Sequence, residues 1–235
     1  MDEVKIIEIK QGIFKENEMN ADDLREYLKN KGVFLLNVMA SPGSGKTTTI
    51  IRLIEELKSS INIAVMEADI DSDVDAIKIM ESCGVAAIQL HTGGMCHLDS
   101  KMTRQGLDNL DLDNLDLVIL ENVGNLVCPA EFDTGSVRNL GILSVPEGDD
   151  KPLKYPLMFS VCDAVAINKI DTLMCFDFNL DNVNRYIKDL NDKSQIFHIS
   201  AKNNTGIKDL ANWLLNEIKI SRSHIRRCGF LCFTR

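Results

Sequence analysis

The chain has 235 residues, 45% of them hydrophobic, a formal net charge of −9 and seven cysteines. That length and apolar content supply the core of one α/β domain and exclude global disorder. The acidic balance argues against nucleic-acid binding, which needs a basic face; no apolar run reaches the roughly 18 residues of a membrane span.

In chain order, residues 1–20 read as a mixed-polarity arm and 21–31 as a helix with Leu24 and Leu28 on one face. Apolar runs predict strands at 33–39, 61–67, 86–91, 115–121, 139–145, 164–168 and 195–200, and helical spacing predicts helices at 45–59, 73–83, 98–109, 179–191 and 206–219. This alternation means a mostly parallel sheet with helices on both faces and right-handed crossovers. Residues 1–220 are expected to form one domain with an N-terminal arm and helix over 1–31; residues 221–235 form a basic tail, expected to be unstructured. Met1-Asp2-Glu3-Val4-Lys5 lacks the apolar centre of a secretion signal. The odd cysteine count shows no framework spacing. Both point to free thiols in the cytoplasm.

The first strand runs into Ala40-Ser41-Pro42-Gly43-Ser44-Gly45-Lys46-Thr47-Thr48, and a helix follows. Strand, glycine-rich turn and helix form the context of a phosphate loop, although Ala40 stands where the pattern opens with Gly. Backbone N–H groups of Gly43, Ser44 and Gly45 close around phosphates, and the helix N-terminus adds partial positive charge. Lys46 reaches the β/γ-phosphates, Thr47 offers a hydroxyl to Mg²⁺, and Thr48 belongs to the same wall. Downstream, Asn168-Lys169-Ile170-Asp171 ends a strand and matches the guanine-reading element of GTPases. The Asp171 carboxylate accepts from both N1–H and the exocyclic amine of guanine; adenine lacks that donor pair. Lys169 packs its stem along the base, Asn168 braces the loop, and Ser200-Ala201-Lys202 supplies a second base-side loop. GTP is therefore expected rather than ATP.

Two acidic segments suit Mg²⁺, a hard cation that prefers oxygen ligands. One ends the fourth strand at Glu121, with Gly124 letting the backbone approach the γ-phosphate. The other follows the second strand, where Asp69 or Asp75 is the expected Mg²⁺ ligand or water-positioning group; Asp71 and Asp73 read as solvated. Cys96, His97 and Cys128 follow the third and fourth strands and meet at the carboxyl edge of a parallel sheet. Thiolate and imidazole bind Zn²⁺, and imidazole also suits Ni²⁺. The residues alone leave open a second reading, in which Cys128 is a small buried residue and His97 starts a helix. Cys83, Cys162 and Cys175 read as packing residues and His198 as a core or supporting residue. Cys228 and Cys232 mark the tail.

With these residues in view, the chain resembles the HypB-type hydrogenase-maturation GTPases, SIMIBI-class P-loop proteins. The likeness rests on the Ser-Pro-Gly-Ser-Gly-Lys-Thr run at 41–47, Glu67-Ala68-Asp69 with Asp75-Ala76, and the Cys-His-Leu-Asp run at 96–99. It extends through the ten residues at 121–130, those at 147–156, and Asn-Lys-Ile-Asp at 168–171. It implies a GTP-hydrolysing nickel metallochaperone acting through GTP-dependent dimerisation. It also implies slow hydrolysis, Mg²⁺ as cofactor, and a Ni²⁺ or Zn²⁺ site of Cys96, His97 and Cys128 at the dimer interface. The implied partners are a HypA-type nickel chaperone and the hydrogenase large subunit. The chain departs from some relatives in having neither an N-terminal cysteine cluster nor a histidine-rich stretch, so no separate nickel store is expected, and in having Ser100 in place of the commoner Ala. The alternatives are a urease- or cobalamin-enzyme maturation GTPase, a small-molecule kinase, and a dimerising switch with structural zinc. Asn168-Lys169-Ile170-Asp171 weighs against the kinase.

Overall fold

The computed structural model describes the backbone of residues 9–69 and 74–230 and the side chains of 14–69 and 75–223. Its strands are β1 (Phe34–Ala40), β2 (Ile63–Asp69), β3 (Ala86–His91), β4 (Leu117–Glu121), β5 (Arg138–Ser144), β6 (Ala164–Asn168) and β7 (Gln195–His198). They form one seven-stranded sheet in the order β3-β2-β4-β1-β5-β6-β7, with every pairing parallel. The central strand β1 is buried at every position, as expected of a strand covered on both faces.

The helices are α1 (Ile9–Lys31), α2 (Lys46–Leu57), α3 (Val74–Cys83), α4 (Ser100–Leu107), the short α5 (Cys128–Glu131), α6 (Lys151–Lys154) and α7 (Pro156–Ser160), then α8 (Leu180–Leu190) and α9 (Ile207–Phe230). One face of the sheet packs against α2, α3 and α9 through Ile50, Leu53, Ile54, Leu57, Ile79, Leu210 and Leu214. The opposite face packs under α1 and α4 through Leu24, Leu28, Leu98 and Leu107, and beneath α7 and α8 through Met158, Phe159, Val183 and Ile187. Each such apolar side chain stabilises the fold by about 1.5–3 kcal/mol. Among the described residues no helix is long and apolar enough to cross a membrane.

Three expectations change. Helix α1 begins at Ile9, well inside the expected arm, because Asn17, Ala21, Leu24 and Leu28 form one buried stripe; residues 1–8 lie outside the described residues. The expected tail continues α9 to Phe230. Within it, Arg222 donates to the Gly32 carbonyl and pairs with Asp116, which ties the helix to the base of the sheet. The side chain of Cys228, and all of Cys232, lie outside the described residues. Finally, Cys175 is exposed, whereas Cys83 and Cys162 are buried, and His198 is exposed on edge strand β7, bonded to Asn184.

Candidate functional site

The turn between β1 and α2 is built for a phosphate chain. Gly43 and Gly45 take left-handed φ of 76° and 95°, a region that non-glycine residues rarely enter. A Cβ on Gly45 would stand 2.5 Å from Asn168 Nδ2. The first helical bond of α2 runs from Thr49 N to Gly45 O. The N–H groups of Lys46, Thr47 and Thr48 therefore precede the ladder at a helix N-terminus, where anions bind. These residues line a cleft of about 620 Å³ with Glu67, Asp69, Asp75, Lys78, Glu121, Asn122, Gly124 and Lys169. Gly124 packs over Pro42, at 3.1–3.4 Å from where its Cβ would be.

The base end is bound together by its own hydrogen bonds. Asn168 Nδ2 donates to Ser44 O at 2.9 Å, and its Oδ1 accepts from Ala201 N at 3.1 Å. Lys169, held at φ 61°, donates to Gly43 O at 2.7 Å. Ser200 Oγ donates to Asp171 Oδ1 at 2.6 Å. Ser41 Oγ donates to Glu147, itself bonded to Ser144. Three loops, after β1, β6 and β7, are thus joined, with Asp171 held between its strand end and Ser200. Lys202 extends exposed from the same loop.

At the other end, strand register places carboxylates together. Glu67 on β2 pairs directly with Glu121 on β4. Oxygens of Glu67, Asp75 and Glu121 lie within 4.8 Å of one another. Thr47 Oγ1 donates to Glu121 Oε1 at 2.8 Å, while Glu67 Oε2 and Glu121 Oε2 are buried without a hydrogen-bond partner. Burial raises Glu67 from an ordinary 4.5 to about 8 and Glu121 from the same value to about 7, with Lys46 and Thr47 opposing the second rise. Among the described residues the cluster contains Glu67, which in the sequence heads the acidic run after the second strand but is not singled out as a ligand there. Asp69 lines the cleft outside the cluster. The signal that finds Glu67 is the register itself: both strands carry Glu at paired positions near their ends. Asp71 and Asp73 lie outside the described residues.

The loops after β3 and β4 bring Cys96, His97 and Cys128 within 4.8 Å of one another, all half-buried. Cys96 Sγ lies 3.9 Å from His97 Nδ1. A hydrogen bond with Cys96, reinforced by burial, raises the Cys128 thiol above its usual range. Burial lowers His97, favouring the neutral imidazole. The His97 ring stacks on Phe132 at 3.8 Å. Two thiols and a neutral imidazole are donors for Zn²⁺ or Ni²⁺, with at least one position left for another ligand.

Residues 34–198 match the family described as CobW/HypB/UreG, nucleotide-binding domain. The hydrogenase maturation factor HypB of Rhizobium leguminosarum bv. viciae is 39% identical over 226 residues, covering 96% of this chain and 75% of that protein. The hydrogenase/urease maturation factor HypB of Helicobacter pylori is 39% identical over 217 residues, covering 91% of this chain and 88% of that protein. The crystal structure of HypB from Helicobacter pylori in complex with nickel has a TM-score of 0.83 and 38% identity, covering 88% of this chain and 97% of that one.

Proposed function

We propose that this chain, which belongs to the CobW/HypB/UreG family and within it to the HypB hydrogenase maturation factors, is a GTP-hydrolysing metallochaperone that helps deliver nickel to [NiFe]-hydrogenase. The observation that carries the reading is that one loop joins two ligand sets. It leaves β4 at Glu121, beside Thr47, and reaches Cys128, beside Cys96 and His97.

In this reading Lys46 and the N-terminus of α2 bind the phosphates, and Asp171 takes the two guanine donors while Asn168, Ser200 and Ala201 hold its loop. A divalent cation fits the other end, because the buried carboxylate oxygens of Glu67 and Glu121 lack partners. Thr47, Glu121 and Asp75, with Glu67 beside them, would hold Mg²⁺; bound there it neutralises charge on the β/γ-phosphates. Asp69 and Asp75 position the attacking water, and Gly124 gives the γ-phosphate a backbone contact. Hydrolysis then releases Asp69, Asp75 and the loop after β4 from the γ-phosphate, an order change driven by its loss. Ni²⁺ is the cargo. The thiolates of Cys96 and Cys128 and the His97 imidazole take it, or Zn²⁺ in its place, and a second copy in a GTP-dependent dimer completes the site. A HypA-type chaperone and the hydrogenase large subunit are the partners, in the cytoplasm.

A second reading is favoured by the Helicobacter pylori relative, whose name pairs hydrogenase with urease. Supplying the protein with Ni²⁺ and GTP or GDP to extracts of apo-hydrogenase and apo-urease separates the two. The proposal expects GTP-dependent activation of hydrogenase; activation of urease alone moves the function to the second reading, and activation of neither refutes both.

A further inference from the structure

Asn17 is an unusual residue for its place. It lies in the middle of α1, on the buried stripe with Ala21, Leu24 and Leu28, and is only 7% exposed. Asn disfavours a helix interior because its amide competes for backbone bonds, and a buried amide needs partners.

Its partners come from the two loops that carry the Cys/His group. Asn17 Nδ2 donates to Asp133 O at 2.9 Å, on the segment that follows Cys128. Asn17 Oδ1 accepts from Ser100 N at 3.0 Å and lies 2.7 Å from Ser100 Oγ, at the start of α4 just past Cys96 and His97. These contacts fix the amide orientation, since a flipped amide would set a donor against Ser100 N–H. Elsewhere on α1, Arg25 pairs with Asp133 and donates to Ser136 O at 2.9 Å. Phe14 meets Phe132 at 4.9 Å, and Phe132 stacks on His97. The 128–136 segment and the 96–100 segment therefore meet through α1, which among the described residues contributes no donor to the Cys96–His97–Cys128 group. Ser100 supplies its contacts through both its backbone N–H and its hydroxyl.

We propose that Asn17 is the positioning residue of the Cys96–His97–Cys128 group: its amide, seated on α1, clamps the two metal-bearing loops to each other. This rests on the reading of that group as a metal site. A donor set whose members sit on two loops binds well only if the loops keep their spacing, and partners beyond the ligands commonly change metal affinity by 10–100-fold.

The test uses the full chain, with Zn²⁺ affinity by competition titration, Co²⁺ absorption as the geometric readout, and GDP affinity as the folding control. Asn17→Leu keeps the branched outline of the side chain and removes both contacts. It is expected to weaken Zn²⁺ by about 10–100-fold and alter the Co²⁺ ligand-field bands, with GDP affinity retained. Asn17→Asp keeps the acceptor for Ser100 and loses the donor to Asp133, so it falls between. Ser100→Ala keeps the backbone N–H bond and is expected to weaken Zn²⁺ by about threefold to tenfold. It decides the matter if Asn17→Leu loses GDP binding. Wild-type Zn²⁺ affinity and Co²⁺ bands in a GDP-binding Asn17→Leu chain, or in Ser100→Ala if the Asn17→Leu chain does not fold, overturn the clamp. A wild-type chain that retains no metal overturns instead the metal reading on which it rests.

Discussion

At the base end of the cleft, Asn168 joins Ser44 O to Ala201 N and Ser200 holds Asp171; at the cation end, Glu67 Oε2 and Glu121 Oε2 have no partner and both carboxyls are pushed far above their usual range. The first region pairs Asn168, Lys169 and Asp171 within its own chain, although the buried Ser44 Oγ has no partner there. In the second, burial disfavours the charge on Glu67 and Glu121 and leaves one oxygen of each without a donor, an arrangement that a divalent cation would stabilise. In the proposed reading, the preorganised end selects the nucleotide, and the incomplete end is where a bound cation changes the protein.

The largest effect should come from Asp171→Asn, which in the proposed reading removes a charged acceptor from two guanine donors. Hydrogen bonds to charged groups contribute about 1.5–3 kcal/mol each, so GTP affinity should fall by about 10²–10⁴-fold, with xanthosine triphosphate gaining. Titration with fluorescent nucleotides checks this, and equal loss of all nucleotides would show a folding defect instead. Next, Cys128→Ala should weaken Ni²⁺ and Zn²⁺ by more than the roughly 10–100-fold typical of lost supporting partners, and uncouple metal uptake from GTP. Unchanged metal titrations would remove Cys128 from the site.

The cation end also makes a pH prediction. Glu67 and Glu121 hold protons more tightly folded than unfolded, where carboxyls titrate near 4.5. Their contribution to stability is thus fully present below about 4.5 and is lost as pH rises through about 7 and 8. Without nucleotide or divalent cation, stability should fall by at least about 1 kcal/mol across that window, and Mg²⁺ with GDP should reverse the fall. Denaturant unfolding at a series of pH values tests it; a flat or rising profile would mean the carboxylates are hydrated and ionised. The smallest effect belongs to the base end: Ser200→Ala removes one bond that orients Asp171, lowering GTP affinity about fivefold. A much larger loss would mean that end, too, depends on a single contact.

Much of this was legible as sequence because it follows local rules. The apolar runs mark the strands, the Gly-Ser-Gly-Lys-Thr turn sits between strand and helix, and Asn168 to Asp171 follows a strand. What was missed depends on partners distant in the chain. In the sequence Glu67 is one member of an acidic run; the register alone sets it beside Glu121. The first half of α1 looked like an arm because Asn17 interrupts its apolar stripe, and only Ser100 and Asp133 explain a polar residue there. The extension of α9 is anchored by Arg222 at Asp116 and Gly32, a contact across most of the sequence. His198 read as a core or supporting residue because a strand was assumed to be covered, whereas β7 is the sheet edge.

The most direct test of the account is Ni²⁺ affinity measured with GDP and with a non-hydrolysable GTP analogue, alongside mass by light scattering. The account predicts a dimer with the analogue, a different Ni²⁺ affinity in the two states, and a matching effect of Ni²⁺ on analogue affinity, since binding coupling is reciprocal. A monomer in every condition with one Ni²⁺ affinity would contradict it.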